Sequence, residues 1–344
     1  MNTAIKRNKH SHSNIQIRPL LSDTRLRQIL GVLWIIDGLL QLQPQMFTMN
    51  MVNGVMLPNV QSQPGPIAAS LYWIITITTQ YLTETNWTIA VIQVIIGVGL
   101  LVGWRVKWFY ALSIIWAVFA WYGGEGMSLL LTGKASALSG APGSVLFYAL
   151  LAIALWPRST PDHAAAQTND EAPQPRTLLS REALRWFLAG YWLLAGLLQL
   201  QPYWWQPEQI SQSVTAMTSP GSLSGVIVDP TLRWLSAITS GSEGPLNMAL
   251  IVVFVALAVG SALVKTEHIR PWLVASIAVS LILWWFAQSL GMILTGMSTD
   301  PNSGPLVILL TLACWPMLGT TPSAKERKPL SSAPREEELS LRNR

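Results

Sequence analysis

The sequence predicts an all-α, polytopic integral membrane protein: eight transmembrane helices as two parallel four-helix repeats, with short interfacial helices on the outer face. Three observations predict it. The first is hydropathy. Of the 344 residues 51% are hydrophobic and 11% charged, and the mean hydropathy is +0.38. A soluble domain is about 25% charged, and apolar runs here approach the ~20 residues that cross a bilayer. The second is repetition. Gly38-Leu39-Leu40-Gln41-Leu42-Gln43-Pro44 returns as Gly196-Leu197-Leu198-Gln199-Leu200-Gln201-Pro202, each after an apolar run carrying a tryptophan, Trp34 or Trp192. Leu71-Tyr72-Trp73 then answers to Leu232-Arg233-Trp234, Gly99 to Gly260, Leu131-Thr132-Gly133 to Leu294-Thr295-Gly296, and Trp156-Pro157 to Trp315-Pro316. Matches kept in one order mean a tandem duplication. The third is charge. With the N-terminus inside, every basic residue of the 22 except Lys134 and Arg233 falls in a cytoplasmic segment, as the positive-inside rule requires.

Each element follows in turn. Residues 1–24 are polar and basic and read as a disordered cytoplasmic tail. The first repeat occupies 25–157. Its first span runs from Arg25 to Pro44, which removes a backbone donor and stops the helix. Residues 45–65 have loop composition, and Pro66–Tyr81 reads as a surface helix interrupted by Thr76, Thr78, Thr79 and Gln80. Its counterpart starts at Asp229-Pro230, a cap and a first-turn proline, followed by Leu232, Leu235 and Ile238.

The second span is Trp87–Trp104, the third Trp108–Tyr122 after the turn Arg105-Val106-Lys107, and the fourth Pro142–Trp156. A cytoplasmic linker covers 158–184, with Ser180 as the next cap. The second repeat, 185–317, repeats the plan at 185–202, 246–264, 271–290 and 304–316, and 318–344 is a second disordered tail. Trp104, Trp108, Trp156, Trp272 and Trp315 mark the inner interface, and Trp87, Trp204 and Trp205 the outer. Four spans per repeat place both termini in the cytoplasm and relate the repeats by an axis along the membrane normal.

Composition also excludes. The net charge of +5 sits in tails and short loops, so it encodes topology rather than nucleic-acid binding. The lone Cys314, near the inner interface, can form neither an internal disulfide nor a cysteine metal cage. His10, His12, His163 and His268 lie in tails or loops, so intramembrane haem or iron–sulfur ligands are not expected, and no metal site is. The first apolar run ends without a small-residue cleavage site, so no cleavable signal peptide is expected. No P-loop, dinucleotide turn or His-Glu-x-x-His occurs. The Gly99-x-x-x-Gly103 spacing reads as close helix packing.

What remains for function is polar groups within the spans. Asp37 lies mid-span with Gln41 one turn on, Gln93 enters the second span at the same depth, and Glu125 and Lys134 follow the third. The repeat alignment sets Ala195 opposite Asp37, Phe254 opposite Gln93 and Gln288 opposite Glu125. Scaffolding should recur in both repeats. Gln41, Gln43, Gln199 and Gln201 do recur, and read as interhelical hydrogen bonding worth about 0.6 kcal/mol each. Asp37, Gln93 and Glu125 do not, so Asp37, Gln41, Gln93 and Glu125 are expected to line an outward-facing polar ligand pocket. Hydration near the interface also accounts for Glu125.

Four short helices per repeat, an outer loop after the first and the small charged turn at Arg105-Val106-Lys107 resemble the DoxX/DoxD-like membrane proteins, over about 25–157 and 185–317. The resemblance implies a quinone-linked redox role as a membrane subunit, with an organic cofactor such as a quinone or one supplied by a redox partner, and it carries over no residue. The alternative is a transporter or channel for a small solute or ion, with Asp37 as the proton- or cation-sensitive group. Either way the expected setting is the plasma membrane, with the lipid bilayer and a redox or other membrane-protein partner as neighbours and no nucleic acid.

Overall fold

The computed structural model describes residues 15–158 and 177–320, in two units. In one, β1 (Ile15–Pro19) pairs antiparallel with β2 (Pro316–Thr320), with Ile15 opposite Thr320 and Pro19 opposite Pro316. Residues 15–19 and 318–320 were expected within disordered tails. Pairing gives their backbone groups partners that an isolated extended segment lacks. The rest of both tails, and 159–176 of the linker, lie outside the described residues.

The other unit, Leu20–Trp315, is helical. Ser22 accepts from Arg25 N at 3.3 Å and starts α1 (Asp23–Leu40), which buries Leu26, Leu30, Trp34 and Asp37 along one face. The 45–65 segment, expected as a loop, coils into a π-helical turn (Met51–Met56) and two short 3-10 turns. Its Met46, Met51, Val52 and Met56 form a small apolar core with Leu71 and Ile75 of α2 (Gly65–Gln80).

Next come α3 (Leu82–Val102) and α4 (Val106–Gly123). A left-handed turn at Gly126–Leu129 and a loop carrying a 3-10 turn at Ala137–Ser139 then lead to α5 (Ser144–Ala154). Ser180 caps α6 (Arg181–Leu198) as expected, accepting from Ala183 N at 3.1 Å. After α7 (Gln209–Ala216) and α8 (Leu223–Ile227) comes α9 (Asp229–Thr239). The chain continues with α10 (Glu243–Leu263), α11 (Arg270–Phe286), a 3-10 stretch at Ser289–Thr295 and α12 (Ser303–Ala313).

The expected count of eight spans needs correcting. Among the described residues three helices, α3, α4 and α10, are long and apolar enough to cross a membrane. A fourth is added if α11 and the Ser289–Thr295 stretch, bent by 42°, count as one. Two reasons account for the difference. Helices α5 and α12 have 11 residues each, so they rise about 16 Å against a hydrocarbon core of ~30 Å. Helices α1 and α6 have the length, yet their first turns carry Asp23, Arg25 and Arg27, or Arg181, Glu182 and Arg185.

Several bonds occur in pairs, once in each half. Trp34 Nε1 donates to Ser113 Oγ and Trp192 Nε1 to Ser276 Oγ, both at 2.9 Å. Asn86 Nδ2 donates to Gln41 O at 2.7 Å and Asn247 Nδ2 to Gln199 O at 2.9 Å. Trp121 Nε1 donates to Pro142 O at 2.7 Å and Trp284 Nε1 to Pro301 O at 2.8 Å. Arg27 reaches the carbonyls of Leu100 and Leu101, and Arg185 those of Ser261, Ala262 and Val264, each at the C-terminal end of a helix. A cation there satisfies orphan carbonyls and complements the helix dipole.

Helices α5 and α12 pack together at the centre, most of their side chains buried, with α4 and α11 against them and α1–α3 and α6–α10 as tight outer pairs. The tightness comes from glycine: a Cβ on Gly31 would lie 2.7 Å from Gly97 O, and one on Gly38 2.8 Å from Ala90 O. Gly99 does pack closely, against the Phe109 ring, as Gly260 does against Trp272. Gly103 does not belong to that contact; at φ +82° it terminates α3. Two further readings change. Trp204 is buried, donating to Ala135 O at 3.1 Å, rather than lying in an aromatic belt. Asp229 does not cap α9. Its carboxylate accepts from Ser219 N at 2.9 Å and Ser224 Oγ at 3.3 Å, tying down the loop before the helix.

Candidate functional site

Helix α1 carries Asp37, with Gln41 at its C-cap one turn on, and α3 carries Asn86 and Gln93 two turns apart. Because Asn86 bonds to Gln41 O while Gly38 meets Ala90 and Val94, the antiparallel pair sets Gln41 level with Asn86 and Asp37 level with Gln93. All four side chains are buried. Among the described residues, both carboxylate oxygens of Asp37, and Oε1 of Gln41, Oδ1 of Asn86 and Oε1 of Gln93, have no hydrogen-bond donor.

From α5, Tyr148 comes up beneath them. Its ring packs on Trp34 at 4.4 Å between centroids, and its hydroxyl faces the Asp37 carboxyl without either group completing a hydrogen bond. An orphaned buried acceptor costs about 1–3 kcal/mol, more when charged, so this seam is expensive to maintain as it stands.

Glu125 occupies a different place. It follows α4 just where the chain turns left-handed through Gly126, Met127 and Ser128. Oε1 accepts from Ser144 Oγ at 2.5 Å and Val145 N at 3.3 Å, and Oε2 from Ser128 Oγ at 3.2 Å. It therefore caps α5, giving the Val145 amide at the helix start a partner. Gln288 does the same for α12, accepting from Gly304 N at 3.2 Å and donating to Ser303 Oγ at 2.9 Å. Gln288 also donates to Ala137 O at 3.1 Å, across to the loop before α5.

Glu125 lines a small polar cavity of about 120 Å³ with Ser128, Gly143, Ser144, Asp300 and Asn302. The Asp300 carboxylate is held by Asn302 N at 2.6 Å and Thr299 Oγ1 at 3.0 Å. Gly140 approaches Asn302 so closely that a Cβ there would overlap its side-chain oxygen. Burial first, then the neighbouring Asp300 charge, pushes the Glu125 carboxyl up to about 8, against the pull of its Ser144, Val145 and Ser128 donors. Asp37 lies within electrostatic reach of both Glu125 and Asp300. No ion pair forms on any of the three among the described residues, where Arg181–Asp23 is the recorded pair.

The expected pocket of four residues thus divides. Glu125 lines the cavity, whereas Asp37, Gln41 and Gln93 sit along the α1–α3 seam and do not. Lys134 stands apart, donating to Ser62 Oγ at 2.8 Å and lying over the Tyr203 ring. Sequence reasoning missed Tyr148 and Asp300. The signal for both was present, since the Trp156/Trp315 and Pro142/Pro301 correspondences put Val307 opposite Tyr148 and Ala141 opposite Asp300. Asp37, Gln93 and Tyr148 are therefore replaced together, by Ala195, Phe254 and Val307. Asn86 and Asn247 recur in both halves and were visible by the same comparison.

A second, apolar cleft of about 430 Å³ lies between α5 and α6, walled by Leu146, Phe147, Leu150, Trp186, Phe187 and Leu194. Among the described residues no group of three His, Cys, Asp or Glu side chains is placed to hold a metal ion. Comparison with protein-family models, curated proteins and solved structures finds no match.

Proposed function

We propose that the chain is a multi-pass membrane protein of two fused four-helix repeats that moves a small solute or ion, with Asp37 as the group that senses charge. The paired Trp–Ser, Asn–Gln and Arg–carbonyl bonds support the repeats. On this reading the charge-bearing or short helices α1, α5, α6 and α12 complete bundles around the apolar spans, and both termini face the cytoplasm.

The observation that carries the function is Asp37 itself: fully buried and, among the described residues, with both oxygens lacking a donor and no ion pair to a basic side chain. A carboxylate kept for scaffolding would be paired or capped, as Glu125 and Asp229 are, and a functional role is the default for an ionisable residue inside a membrane. Proteoliposomes on a solid-supported membrane test it. Wild type should give a transient current on a cation or pH jump, Asp37→Asn should give none at unchanged yield and elution volume, and Gln199→Ala should keep the current. An Asp37→Asn current equal to wild type overturns the reading.

A quinone-linked redox subunit is the second reading, and the apolar cleft beside α5 favours it, being of a size and chemistry to take an isoprenoid tail. A stoichiometric quinone retained through purification would decide for it.

A further inference from the structure

We infer that the α1–α3 seam of the first half is a binding site for a dehydrated monovalent inorganic cation of the sodium type, held by Asp37, Gln93 and Tyr148, with Gln41 above. This rests on the transport reading and names the cargo or coupling ion of that same site.

Along the seam the oxygens without a partner are both of Asp37, Gln93 Oε1, Gln41 Oε1 and Asn86 Oδ1, with the Tyr148 hydroxyl, which can donate or accept, facing Asp37. Protonating Asp37 supplies one donor, which satisfies one of these oxygens. A metal cation is ligated by several oxygens at once. The set contains oxygen alone, without sulfur or imidazole, which selects hard cations.

Charge then fixes the valence. Asp37 is the one carboxylate in the set free to ligate. Glu125 is engaged by Ser144, Val145 and Ser128, and Asp300 by Asn302 and Thr299. One free carboxylate neutralises a monovalent ion and leaves a divalent one with uncompensated charge in a buried site. Asp300, from the loop before α12, adds an attractive field without ligating, and Glu125, from the end of α4, adds to it only once it ionises; Tyr148 is the ionisable group from α5, and Gln93 of α3 is uncharged. The second half is the internal control: it keeps Gln199 and Asn247 but places Ala195, Phe254 and Val307 where the ligands would be.

The test is cation binding by the purified full chain at pH 8, in choline chloride at constant ionic strength. Replacing choline by sodium should raise the unfolding temperature saturably, by several degrees, and radioactive sodium should bind one per chain in a scintillation proximity assay. Asp37→Asn should abolish both. Gln93→Leu, which imitates the apolar second half, should weaken binding at least tenfold, and Gln199→Ala should leave it unchanged. The inference is overturned if neither sodium, lithium nor potassium stabilises wild type beyond choline, or if Asp37→Asn keeps the response. In that case an Asp37-dependent proton current would leave the transport reading standing with a proton at the site. Sodium binding without any current would instead sink transport and leave the site.

Discussion

Replacing Glu125 by glutamine keeps the shape and removes the charge, and the second half already carries the product of that change. Gln288 accepts from Gly304 N and donates to Ser303 Oγ in the equivalent place. A glutamine side chain at position 125 can likewise accept from Val145 N and Ser144 Oγ, while Ser128 turns to accept from its amide. What is lost is a proton equilibrium. The carboxyl is lifted from its ordinary 4.5 to about 8 by burial and by Asp300, so the folded state holds a proton that the unfolded state has released. Stability of wild type is therefore complete below about pH 4.5 and falls as pH rises towards 8, where the folded carboxyl also ionises.

At about 1.4 kcal/mol per pH unit the ceiling on that loss is about 4–5 kcal/mol. One side of Glu125 opens on the polar cavity, and screening there brings the expected figure to roughly 1–2 kcal/mol. Glu125→Gln should match wild type at pH 4.5, gain steadily from pH 5 to pH 8, and hold a constant advantage of roughly 2–5 °C above that. Tryptophan-fluorescence melts in detergent across that range measure it. A difference independent of pH, or one favouring wild type at pH 8, would refute the cause assigned to the shift.

Two further outcomes are expected. Gly38→Ala should destabilise by about 1–3 kcal/mol, since its Cβ would sit 2.8 Å from Ala90 O, whereas Gly196→Ala should cost less than ~1 kcal/mol because its nearest neighbour is the Val255 methyl at 3.1 Å; parallel melts of the two variants compare them, and equal losses would contradict the packing argument. In a Cys314→Ser background, single cysteines in 45–65 and 202–228 should react with an impermeant maleimide from outside while those in 158–184 should not, and the reverse pattern would invert the orientation.

What could be read from the sequence was what one dimension records. The position of Asp37 on a helix face, its level with Gln93 and its replacement by Ala195 all follow from counting along two aligned runs. The cap at Ser180 follows from a local pattern. Glu125 could not be resolved that way. Its bonds go to Ser144 and Val145, on a helix reached by a left-handed turn and a long loop that no periodicity encodes. The shortness of α5 and α12 was hidden for a similar reason. Apolar composition continues through Trp156 and Trp315, but the helices stop at Ala154 and Ala313 and start only after Pro142 and Pro301, since the residue before a proline is biased away from helix. The coiling of 45–65 was missed because its methionines are apolar without a period.

The contact of Asn302 with Gly140 and the presence of Asp300 in the Glu125 cavity bear on heredity. If the chain descends from a duplicated ancestor that paired with itself, each ancestral copy lent its terminal loop to the other and both sites were alike. Once the copies were fused, mutation could treat them separately. On that descent one copy would hold the acids at 37 and 125 and the other the acid at 300, so the cavity around Glu125 would be drawn from both. Such a protein cannot return to a symmetric pair of identical subunits: two first halves would meet with Ala141 where Asp300 belongs, and two second halves with Ala195 where Asp37 belongs. On that descent, fusion would make the asymmetry permanent.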